Sequence, residues 1–103
     1  MTHEYIIHLV NPSSRPPYYL VADHLWGTGC NIDSDGDSIE PEDTEWTELT
    51  LRLRGGSESD RIDIDPISDN PLVLAVRSPS QLLCESAAGF LQTTSGGSIE
   101  KIA

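Results

Sequence analysis

The sequence predicts an α+β fold in one small domain, mainly an antiparallel sheet with two helices on one face. Three observations carry that prediction: apolar β-rich runs at Glu4–Val10 and Leu72–Val76, alternating runs from Leu49 to Asp65, and two segments with helical spacing, at 18–26 and after Ser78. With 103 residues, 37% of them hydrophobic, the chain is long enough for one core and too short for two.

Glu4–Val10 carries Tyr5, Ile6, Ile7, Leu9 and Val10, the near-continuous apolar content of an inner strand, and stops at Asn11-Pro12-Ser13-Ser14. Beyond Pro16 and Pro17, the residues Tyr18, Val21, Ala22 and Leu25 share a helical face. Gly27 and Gly29 end that segment. The β propensity of Tyr-Tyr-Leu-Val makes a strand the competing reading at 18–22. From Asn31 to Thr44 an acidic loop is expected, broken by Gly36 and Pro41.

Leu49, Leu51 and Leu53 alternate with polar residues, as do Ile62 and Ile64 beyond the turn at Gly55–Asp60. A hairpin of the two runs would set Arg52 and Arg54 opposite or diagonal to Asp63 and Asp65. Leu72–Val76 reads as a central strand. Ser78-Pro79-Ser80-Gln81 then reads as a helix start with Ser78 as the cap, Leu83, Ala87, Phe90 and Leu91 as the buried stripe, and Cys84 and Ala88 beside it. Gly96-Gly97 stops that helix, and Ser98–Ile102 returns as a short edge strand. Val10-Asn11-Pro12-Ser13 echoes Val76-Arg77-Ser78-Pro79, and this faint symmetry suggests a ferredoxin-like split βαβ arrangement.

Seventeen acidic residues against six basic ones give a formal net charge of −11. That field repels phosphate backbones and anionic lipid, so neither nucleic acid nor membrane is an expected partner. It favours cations and basic proteins. No basic start or long apolar core marks Met1–Val10 as an export signal, so a cytoplasmic protein with Cys30 and Cys84 as thiols is expected.

Between residues 33 and 45 stand seven carboxylates, Asp33, Asp35, Asp37, Glu40, Glu42, Asp43 and Glu45, with no lysine or arginine. With Trp46 at the edge, the run has the makings of a protein-binding surface, in which charge sets the encounter rate and the aromatic supplies buried area. The same stretch can be aligned with a calcium loop, placing Asn31, Asp33, Asp35, Gly36, Asp37 and Glu42 at positions 1, 3, 5, 6, 7 and 12 of an EF-hand-like pattern. Three departures count against it: asparagine at the first position, Pro41 before Glu42, and glycines where an entering helix belongs. Solvation of a loop, or packing of Trp26 and Trp46 in the core, would account for the same residues without a ligand.

No catalytic grouping emerges. His24 and Cys30 are two ligands without a second pair, Cys84 sits among aliphatics, and the chain has no nucleophile elbow, phosphate loop or dinucleotide fingerprint.

Trp46-Thr47-Glu48-Leu49-Thr50-Leu51, Pro71-Leu72-Val73-Leu74 and Ser78–Gly97, with its Ala87-Ala88-Gly89-Phe90-Leu91 centre, resemble small acidic bacterial immunity-type proteins over about the second half of the chain. The resemblance identifies no specific family. It implies a non-catalytic inhibitor that binds a basic toxin through an acidic face, without a cofactor. A calcium-binding module and a domain that dimerises through a sheet edge are the alternative expectations.

Overall fold

A computed structural model describes residues 4–36, 40 and 42–102. The elements in chain order are β1 (Tyr5–Val10), α1 (Tyr18–Trp26), β2 (Ile32–Gly36), β3 (Leu49–Leu53), β4 (Arg61–Asp69), β5 (Leu72–Ser78), α2 (Gln81–Ser95) and β6 (Ser98–Lys101). The strands form one sheet in the order β2-β3-β4-β5-β1-β6, with every neighbouring pair antiparallel.

The expected symmetry is present in both halves. β5 and β6 flank β1 and both run antiparallel to it, so β5-α2-β6 is a split βαβ unit with β1 inserted. In the first half, β1 and β4 flank β5 and both run antiparallel to it, a second split βαβ unit with α1 in its connection. The order β4-β5-β1-β6 is therefore ferredoxin-like, and β2 and β3 are an insertion added at the β4 edge. β1 leads through α1 to β2, which joins the far edge beside β3, and β2 to β5 return as a meander. Within that meander only β4 and β5 are joined by a tight two-residue turn, Asn70-Pro71, and the acidic tract makes the long connection from β2 to β3.

Period-two alternation places Ile7 and Leu9 of β1, Leu49 and Leu51 of β3, Ile62 and Ile64 of β4, and Leu74 and Val76 of β5 on one buried face. α2 covers it with Leu83, Cys84, Ala87, Ala88 and Leu91, and α1 adds Val21 and Ala22. The two helices meet through His24 and Phe90, whose rings stack with centroids 4.5 Å apart. The chain adopts the helical alternative at 18–26, because the Val21–Ala22–Leu25 stripe packs on this core.

Two local expectations are corrected. The cap of α2 is Ser80, whose Oγ accepts from the Leu83 N–H at 3.3 Å. Ser78 ends β5, donating to the Arg61 carbonyl at 2.7 Å and accepting from the Ser80 N–H at 3.0 Å. β4 also runs on to Asp69, past Pro66, where the register with β5 shifts between Pro66 and Ser68. The irregularity lets a residue without an N–H stay in an inner strand. At the end of α2, Gly97 (φ +88°) lies where a Cβ would run into the Val10 carbonyl oxygen, so the tight return into β6 requires glycine.

Candidate functional site: the acidic tract and its anchor

The acidic tract begins as a strand rather than a loop. Ile32 to Gly36 pair with Leu53 to Leu49, and β2 forms the edge of the sheet. Gly36 is there because a Cβ would collide with the Glu48 carbonyl of the adjoining chain. Its place reflects the close approach of two backbones. Asn31, Asp33 and Asp35 therefore lie along an extended chain, alternate residues about 6.6 Å apart along the backbone, instead of curling around a centre. Asp37 lies outside the described residues. Among the described residues, no group of three His, Cys, Asp or Glu side chains is placed to hold a metal ion.

The C-terminal end of the tract is fixed by a residue that the sequence reading did not single out. Arg15 is 6% exposed. Its Nε donates to the Trp46 carbonyl at 2.8 Å, its Nη1 to the Ser13 carbonyl at 3.1 Å, and its backbone N–H to the Thr44 carbonyl at 2.9 Å. Nη2 stands 3.7 Å from the Glu45 carboxylate, which also accepts from the Ser14 hydroxyl at 3.3 Å. A buried guanidinium needs such a set of acceptors to offset its desolvation. Segment 13–16 is tied in turn to α2, because the Ser13 N–H and hydroxyl both donate to the Ser95 carbonyl, at 2.8 and 2.6 Å.

Trp46 completes this anchor and is corrected as a contact residue. It is 1% exposed, belongs to the core, and donates its indole N–H to the Pro16 carbonyl at 2.8 Å. It holds the root of the tract and presents no surface to a partner. Trp26 is half-buried against the same core.

The carboxylates divide accordingly. Asp33 is held by Arg54, whose Nε and Nη2 both lie 2.7 Å from Oδ1. Asp35 accepts from the Gly36 N–H at 2.9 Å and Asp43 from the Glu45 N–H at 2.8 Å, short-range bonds that shape the backbone and leave the charge in place. Asp35, Glu40, Glu42 and Glu45 are exposed and Asp43 is half-buried.

On the outer face of the sheet, the arginine partners differ from those expected of the hairpin. Arg61 binds Asp63 on its own strand, at 2.8 and 3.2 Å, and Asp63 also accepts from the Thr50 hydroxyl at 2.7 Å. Arg77 pairs with Asp65 and, at 3.3 Å, with Glu4. The hydrogen bond to Asp65 is the first cause holding the Arg77 guanidinium above its ordinary pKa. Arg54 reaches Asp33 instead of β4, and Arg52 stands directly opposite Arg61.

The thiols give no sign of activation. Burial, with Glu85 adding to it, pushes the Cys84 thiol up to about 11, and burial and then Asp23 raise that of Cys30. Both cysteines are free. Among the described residues, no helix is long and apolar enough to cross a membrane.

No protein-family model matches the chain, and no curated protein or solved structure is significantly similar to it.

Proposed function

We propose that this chain is a cytoplasmic, non-catalytic binding protein of immunity or inhibitor type, which neutralises a basic partner protein through the acidic tract. The observation that carries the reading is how the positive charge is used. Five of the six basic side chains, Arg15, Arg54, Arg61, Arg77 and Lys101, are held in internal ion pairs. The surplus negative charge is therefore left facing outward, with Asp35, Glu42 and Asp43 on a tract rooted at both ends. A tract held at both ends loses less conformational entropy on association than a free segment does, and its field speeds encounter with a basic protein.

The contacts proposed are Asp33, Asp35, Asp37, Glu40, Glu42, Asp43 and Glu45. The test compares the wild type with the triple variant Asp35→Asn, Glu42→Gln and Asp43→Asn, in which the amides keep the local acceptors and remove the charge. Immobilised wild-type protein should retain a basic protein from lysate of the source cells at low salt and release it at high salt. With that purified protein, the triple variant should associate about tenfold more slowly or worse, with a shallower salt dependence and an unchanged melting temperature. Equal association rates for the two forms would remove the tract from the interface.

A further inference from the structure

We infer that the open face of the sheet holds a carboxylate-binding site centred on Arg52. Four observations lead there. Arg52 is exposed, and among the described residues it is the one basic side chain without an ion pair. Its neighbour across β2–β3 is Asp33, whose carboxylate is taken by Arg54. Its neighbour across β3–β4 is Arg61, so two arginines stand directly opposite each other in the register, like charges that cost stability unless an anion comes between them. Finally, both side chains line an open cleft of about 600 Å³, with Leu53, Ser57, Glu58 and Pro79 among its other lining residues, and a smaller one of about 330 Å³ on the β2 side. The larger volume falls within the range of small-molecule sites.

The anions already present do not fill this role. Asp63 is bound by Arg61 and Thr50, Glu4 by Arg77, and Asp60 accepts from the Ser57 N–H at 2.9 Å. The Arg52 fork, with its five N–H donors, can take a carboxylate in bidentate fashion, and Arg61 keeps Nη1 clear of its bonds to Asp63 to assist. A carboxylate suits the place better than a phosphate dianion does. Desolvation cost grows as the square of the ligand's charge while its attraction to the arginines grows only in proportion to it. Glu58 and the −11 field reduce that attraction further, so a dianion is held less well. Among the described residues, none of the proposed partner contacts lines the larger cleft, whereas Asp33 and Asp35 line the smaller one.

The experiment is an NMR titration of the Arg52 and Arg61 Nε–H resonances with acetate, inorganic phosphate and chloride at matched ionic strength, on the wild type, Arg52→Gln and Glu58→Gln. Acetate should give saturable shifts at both arginines, phosphate weaker binding, and chloride none. In Arg52→Gln the saturable shift at Arg61 should disappear. Glu58→Gln should bind acetate about two- to fivefold more tightly, the size of one exposed charge interaction. The assignment is overturned by a response to chloride equal to that of acetate, by saturation that survives Arg52→Gln, or by phosphate binding the tighter.

Discussion

The inner and outer faces of this sheet are made from alternate residues of the same strands, and they treat charge in opposite ways. Inside, Leu49, Leu51, Ile62, Ile64, Leu74 and Val76 meet two helices. The charged group reaching that level, Arg15, is surrounded by carbonyl acceptors. Outside, Thr50, Arg61, Asp63, Asp65 and Arg77 form a ladder of polar and ionic contacts with no helix over it, and Arg52 stands beside it without an ion pair among the described residues. Residues that cannot change without loss of the fold belong to the first group, and residues free to recognise something else belong to the second. The acidic tract joins the two. Its carboxylates belong to the outer group and its root, Arg15 with Trp46, to the inner one.

The largest effect should come from that root. Trp46→Ala removes a fully buried indole and orphans the Pro16 carbonyl it binds, a change expected to cost roughly 3–5 kcal/mol. Urea unfolding followed by Trp26 fluorescence measures it. A loss below about 1 kcal/mol would mean that Trp46 is not part of the core in solution, and its place among the partner contacts would reopen.

A middling effect, confined to alkaline pH, is expected at Cys84 on the inner face. The folded thiol titrates at about 11, against a reference of 9.0. Above pH 9 the unfolded chain loses this proton while the folded chain keeps it. The contribution is therefore complete below pH 9 and falls away as pH rises towards 11, by roughly 2–3 kcal/mol in total. Cys84→Ala should flatten that part of the stability curve. Parallel decline of variant and wild type between pH 9 and 11 would assign the loss to other groups.

The same division explains what could be read from the sequence. Inner-face positions announce themselves by period: the β3 and β4 aliphatics, the Leu72–Val76 run and the Leu83–Leu91 stripe all lie where alternation or helical spacing puts them. β2 does not, because Ile32-Asp33-Ser34-Asp35-Gly36 has one apolar residue and becomes a strand only through its ladder to β3. The aromatic beside the acidic run was visible in Trp46, but its burial depends on Arg15 and Pro16, about thirty residues earlier in the chain. The arginine pairings were equally out of reach, since alternation gives the face and only the register gives the partner.

The smallest effect should fall on the outer face, at the Arg54–Asp33 pair. Both side chains are more than half exposed, 56% and 59%, so their 2.7 Å contact forms in water and competes with solvent for each partner. Arg54→Gln should change stability by no more than about 0.5 kcal/mol, and that small change should shrink further in high salt. The substitution also releases Asp33 towards Arg52, its cross-strand neighbour, so acetate should bind less well at Arg52 even though the fold hardly changes. Urea midpoints at low and high salt, read alongside the acetate titration, separate the two consequences. A destabilisation above 1 kcal/mol would show that this pair staples β2 to the sheet, and the outer face would then share in holding the fold as the inner face does.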